Sequence, residues 1–122
     1  LVPDILNGAG FPAAKVSAVQ DAVRNHMYYR ADAGRPESIV LHDADTLDFL
    51  GTIGIARILS LTTRHRWATD LATAAKTLEG FNTDLPPRLM TSAAKKLALA
   101  RVAESRAILE SLKAETEDGK AR

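Results

Sequence analysis

His42-Asp43-Ala44-Asp45-Thr46-Leu47-Asp48-Phe49-Leu50-Gly51-Thr52-Ile53-Gly54-Ile55-Ala56-Arg57 sets three carboxylates within six residues of an otherwise apolar, helix-forming stretch. Residues three and four apart share a helix face, so Leu41, Ala44, Asp45, Asp48 and Thr52 fall in one stripe. Val40, Leu47 and Gly54 form a further apolar line, and Asp43 points elsewhere. Asp45 and Asp48 are therefore the expected inward carboxylates. A carboxylate taken out of water without compensation is strongly disfavoured, so such a group is solvated, paired or bound to a metal. The run supports two readings. In one it is an exposed acidic helix start, opened by Pro36 and Glu37 and favoured by the helix dipole. In the other it is a cation site with Asp45 as first ligand.

Upstream, Val16, Val19, Val23, His26 and Met27 recur at helical spacing, which places His26 on the apolar face of its own helix. A His and an Asp then face the core from consecutive helices. His26 is either a hydrogen-bonded core histidine or a second ligand.

Working outward, helical patterning dominates. Residues 1–7 read as a helix stopped at Asn7-Gly8, and Pro12 opens the next helix, through about Tyr29. Residues 31–36 are a loop. The acidic helix is expected to run on through Gly51 and Gly54 to Leu61, the two glycines permitting close approach of a neighbouring helix or a bound phosphate. Residues 62–66 read as a loop or helix start with His65 at the surface, and Trp67 to Leu78 as a helix ending at Gly80. After a turn over 82–87, Thr91 or Ser92 caps a long helix whose stripe is Ala94, Leu97, Ala98, Ala100, Arg101, Ile108, Leu109 and Leu112. No strand-like alternation and no internal repeat is visible. The expected fold class is all-α, a helical bundle over residues 1–114 with a frayed tail over 115–122 that has little to bury.

Composition narrows the function classes. The 122 residues carry 16 Lys and Arg against 15 Asp and Glu, scattered, which is not the basic footprint of a nucleic-acid binder. No membrane span is visible, and with no cysteine there are neither disulfides nor thiolate metal sites. No signal peptide opens the sequence, and a cytoplasmic setting is expected. Phosphate-cradling Gly-Lys-Ser or Gly-Lys-Thr loops, dinucleotide fingerprints and nucleophile-elbow serines are missing, so metal-assisted hydrolysis is the surviving enzyme reading.

Taken together, Ala22-Val23-Arg24-Asn25-His26, the turn Gly34-Arg35-Pro36, Ile39-Val40-Leu41-His42-Asp43-Ala44-Asp45-Thr46-Leu47-Asp48 and Gly51-Thr52-Ile53-Gly54-Ile55-Ala56-Arg57 resemble the C-terminal half of an HD-domain metal-dependent phosphohydrolase. Leu85-Pro86-Pro87-Arg88-Leu89-Met90-Thr91 and Ala94-Lys95-Lys96-Leu97-Ala98-Leu99-Ala100-Arg101 are similar to the family's closing helices. The resemblance implies an all-helical domain whose metal is held by an early His, a His-Asp doublet and a late Asp, with further His residues serving a second metal or the phosphate. By motif match it puts Asp45 at the late metal ligand and His26 at a second-metal or phosphate contact, with Asp43 as fallback ligand. His42-Asp43 is itself a His-Asp doublet, but it lies inside the late acidic run rather than at the family's metal-binding one.

Nothing before His26 matches the early His or the diagnostic doublet, and Thr46 and Phe49 depart from the Arg and small residue expected there. A start at Leu1-Val2-Pro3-Asp4-Ile5-Leu6, without an initiating Met, reads as the middle of a helix and suggests a fragment whose missing half would leave apolar surface open to homo-oligomerisation.

The function implied is hydrolysis of phosphate esters or nucleotide phosphates by water activated on a divalent ion, with Mn, Fe, Zn, Ni, Co and Mg all compatible with His and carboxylate ligands. Arg57 is a candidate phosphate contact, with an ion pair as its plainer role. The reading from another class is a helical scaffold or protein-interaction module with a decayed site.

Overall fold

The computed structural model describes residues 1–30, 34–65 and 68–116, apart from the side chains of 62–65. Among the described residues the chain is all-helical. In order, the elements are α1 (Val2–Gly8), α2 (Ala13–Asn25), α3 (Pro36–Leu47), α4 (Gly51–His65), α5 (Leu71–Asp84), a single 3-10 turn over Pro86–Arg88, and α6 (Ser92–Thr116). No helix among the described residues is long and apolar enough to cross a membrane. The expected 115–122 tail is helical at Glu115 and Thr116, and 117–122 lie outside the described residues.

The acidic run is two helices, not the single expected one. α3 stops at Leu47, where the amides of Asp48, Phe49 and Leu50 fold back onto the carbonyls of Ala44 to Leu47 and tighten the last turn. Gly51 then takes φ +74°, the left-handed conformation that ends a helix at low cost only for glycine. Gly54 acts differently. A Cβ there would sit 2.3 Å from the Phe49 carbonyl carbon, so the tight turn closes only over a bare α-carbon.

Other ends shift for equally local reasons. α2 closes at Asn25 instead of Tyr29, because the chain turns from Met27 to Arg30 and delivers Tyr28 into an aromatic cluster. Its ring lies edge-on to Phe49 and Phe81 at 5.3 and 5.9 Å between centroids. α5 begins at Leu71, where the Asp70 carboxylate accepts the Thr73 amide at 2.7 Å. It passes through Gly80 to Asp84, since an isolated glycine lowers helix stability without ending a well-packed helix. α6 starts as expected, with Thr91 Oγ1 accepting the Ala94 amide at 3.2 Å.

α6 is the strut of the fold, packing on α3, α4 and α5, while α2 lies against α3 and α1 against α2. The core at this junction holds Leu50 and Ile58, both fully buried, with Leu78, Leu85, Leu89, Ala98 and Leu109 around them. Small residues at Ala94 and Ala98 let α6 approach its neighbours closely. Leu97, expected in the buried stripe, is exposed.

Candidate functional site

The three carboxylates of the acidic run have three different environments. Asp43, expected to point away from the core, is buried. Its Oδ1 accepts the Met90 amide at 2.9 Å, and its Oδ2 accepts the Thr91 amide at 2.8 Å and the Thr91 hydroxyl at 2.7 Å. His42 Nδ1 lies 3.2 Å from Oδ1. Burial pushes the Asp43 carboxyl up, but the hydrogen bonds from Met90, Thr91 and His42 outweigh it and hold the group below its usual value of 3.8. Asp43 thus clamps the chain entering α6 onto α3. The sequence carries no local signal for this, because the donors arrive from Met90 and Thr91, far along the chain.

Asp48, expected inward, is exposed, with Oδ1 3.8 Å from Arg101 Nη1. Arg101 donates more closely, at 2.6 Å, to the Leu47 carbonyl at the end of α3. Ser105 Oγ accepts the Gly51 amide at 2.7 Å and so holds the first turn of α4. The interhelical turn is therefore fixed by α6 from both sides.

Asp45 is the carboxylate left over. It is half-buried, and its Oδ2 is shielded from solvent with no hydrogen-bond partner among the described residues. Ser38 Oγ and His42 Nε2 are buried and without a partner among the described residues on the same face of α3, at spacings of four and three. An unmade buried hydrogen bond costs about 1–3 kcal/mol, and more for a charged group. Such a stripe is expensive unless something pairs with it.

His26 caps α2 and is half-buried. Its Nδ1 lies 2.7 Å from the Val23 carbonyl, an acceptor only, so Nδ1 is the donor of this bond and, in the neutral tautomer, Nε2 is the nitrogen left with a lone pair. A ring so oriented is the usual form of a metal-binding imidazole. Arg57, exposed on α4, lays its guanidinium 4.7 Å from the centroid of the Phe49 ring, a cation–π contact in place of the ion pair. The side chain of His65 lies outside the described residues.

No family model, curated protein or solved structure matches this chain. Function rests on geometry. Asp43, Asp45, His26 and Arg57 make no hydrogen bond or ion pair with one another, and among the described residues no three His, Asp or Glu side chains converge as a metal would require. Taken singly, Asp45 Oδ2 is a shielded carboxylate oxygen without a partner among the described residues, and the His26 ring is oriented by the Val23 carbonyl.

Proposed function

We propose that this chain contributes one side of a divalent-metal phosphohydrolase centre of the HD type, acting on phosphate esters or nucleotide phosphates in a cytoplasmic setting. The observation that carries the reading is the Asp45 Oδ2 oxygen, shielded from water and without a hydrogen-bond partner among the described residues, while both oxygens of Asp43 are engaged. Within the acidic run, Asp45 is the group with an oxygen to give. His26 supports it with a tautomer fixed by Val23, and the Arg57 guanidinium, spread over Phe49, is a cation for phosphate oxygens. When bound, a divalent ion lowers the pKa of a coordinated water and polarises a phosphoryl oxygen. The chain's own part is to hold the Asp45 oxygen and the His26 nitrogen in place and to keep water from Asp45 Oδ2. The remaining ligands come from a further polypeptide segment or a second copy.

The experiment is a titration of the chain with Mn²⁺ followed in amide NMR spectra. Paramagnetic broadening centred on Asp45 and lost in Asp45→Ala supports the reading. Broadening indifferent to that substitution overturns it.

A second reading, a helical scaffold or interaction module, is favoured by the structural use of Asp43 and by the lack of convergence among the described His, Asp and Glu side chains. Binding of a protein partner that survives Asp45→Ala, with no Mn²⁺ binding by the wild type, would select it.

A further inference from the structure

A second site lies away from the acidic run, where the end of α5 and the 3-10 turn face α6. A cleft of about 540 Å³ is lined there by Pro86 and Pro87 on one wall and Ala98, Leu99, Val102 and Ala103 of α6 on the other. Leu99, in the cleft wall, is 75 % exposed. The ionisable groups of the lining are Lys95 and Arg106, both cations, and no acid is among them. Neither makes an ion pair within the described residues. Eleven residues separate them, a whole number of turns to within about 20°, so they share a face of α6 about 16 Å apart. Asn82 also lines the cleft. It is 6 % exposed, and its amide Nδ2 is buried without a partner among the described residues.

Apolar walls, two cations in the lining and a buried donor unused among the described residues specify an occupant. We propose that this cleft binds a small anion with an apolar body, an alkyl or aryl carboxylate or phosphate monoester. The anionic head sits at Asn82 and Arg106, and the body runs along Leu99 and Val102 towards Pro86 and Pro87. Beyond that end, Glu79 and Glu110 line an adjoining cavity that shares Asn82, Thr83 and Arg106. Glu79 is already held by Lys113 at 2.5 Å, and the acidic side favours placing the head on the cleft side of Arg106. This site does not depend on the role of Asp45.

The test is an amide NMR titration of the chain with sodium decanoate, decyl phosphate and the neutral control decanol, each below its aggregation threshold. Saturable shifts at Thr83, Val102, Ala103 and the Asn82 side-chain amide are expected with one or both anions. Decanoate alone identifies a carboxylate site, decyl phosphate alone a phosphate site, and equal binding a site that reads charge only. Arg106→Gln should weaken binding about tenfold, as loss of a charge-assisted hydrogen bond does. Leu99→Asp, at an exposed position that leaves the fold intact, should abolish it. No saturable shift, binding of decanol as tight as that of the anions, or affinity unchanged by both substitutions would overturn the proposal.

Discussion

Replacing Asp43 by Ala should be among the most damaging polar substitutions in this protein, and its magnitude follows from the contacts. Two backbone amides and one hydroxyl at the entry to α6 donate to this carboxylate. Each bond to an ionised acceptor is worth about 1.5–3 kcal/mol. The donors are only partly buried, so water recovers part of this when the carboxylate goes, leaving a net loss of about 3–4 kcal/mol. That is a large share of the 5–15 kcal/mol typical of a domain. With a urea m-value of about 1.5 kcal/mol/M, the midpoint followed by circular dichroism should fall by about 2 M. Asp43→Asn keeps the shape and one acceptor oxygen, and should lose about half as much. Acid supplies the second arm of the assay. The folded-state pKa is depressed, so the stabilisation is complete well above 3.8 and is lost as pH falls through the lower folded value. The gap between wild type and Asp43→Asn should therefore be widest near neutrality and close below pH 3.8. A midpoint shift under about 0.5 M at neutral pH, or a gap that persists unchanged into acid, would refute the clamp.

Asp45 should behave in the opposite way. Without metal, Asp45→Asn should leave the urea midpoint unchanged or raise it, because no hydrogen bond to Oδ2 among the described residues is lost, while Mn²⁺ binding is lost. Gly54→Ala should destabilise by more than about 2 kcal/mol, since the new methyl meets the Phe49 carbonyl and the clash is with backbone. Gly51→Ala should destabilise by about 1–2 kcal/mol through its positive φ, with Arg101 Cβ 3.2 Å from the added carbon; thermal melts of both glycine variants check the order. Ile58→Ala should destabilise by about 2–5 kcal/mol, measured by urea unfolding, because the side chain is fully enclosed.

By itself, the sequence determined the all-helical class and a cap for α6 at Thr91 or Ser92, and it drew attention to the acidic run. These are local properties: hydrophobic periodicity, capping chemistry and charge density act within a turn or two of helix and are readable from adjacent residues. It also singled out Asp45 and His26, though not what surrounds them. The two glycines make the break at Gly51 possible locally, and only the tertiary structure shows what holds it, Arg101 and Ser105 from a helix about fifty residues away. Asp43 was likewise undecidable along the chain: its partners are Met90 and Thr91, and a carboxylate's worth depends on which donors arrive from elsewhere in the fold. The same holds for Asp45, whose candidacy rests on a missing partner, a property of the packed molecule that no spacing can express.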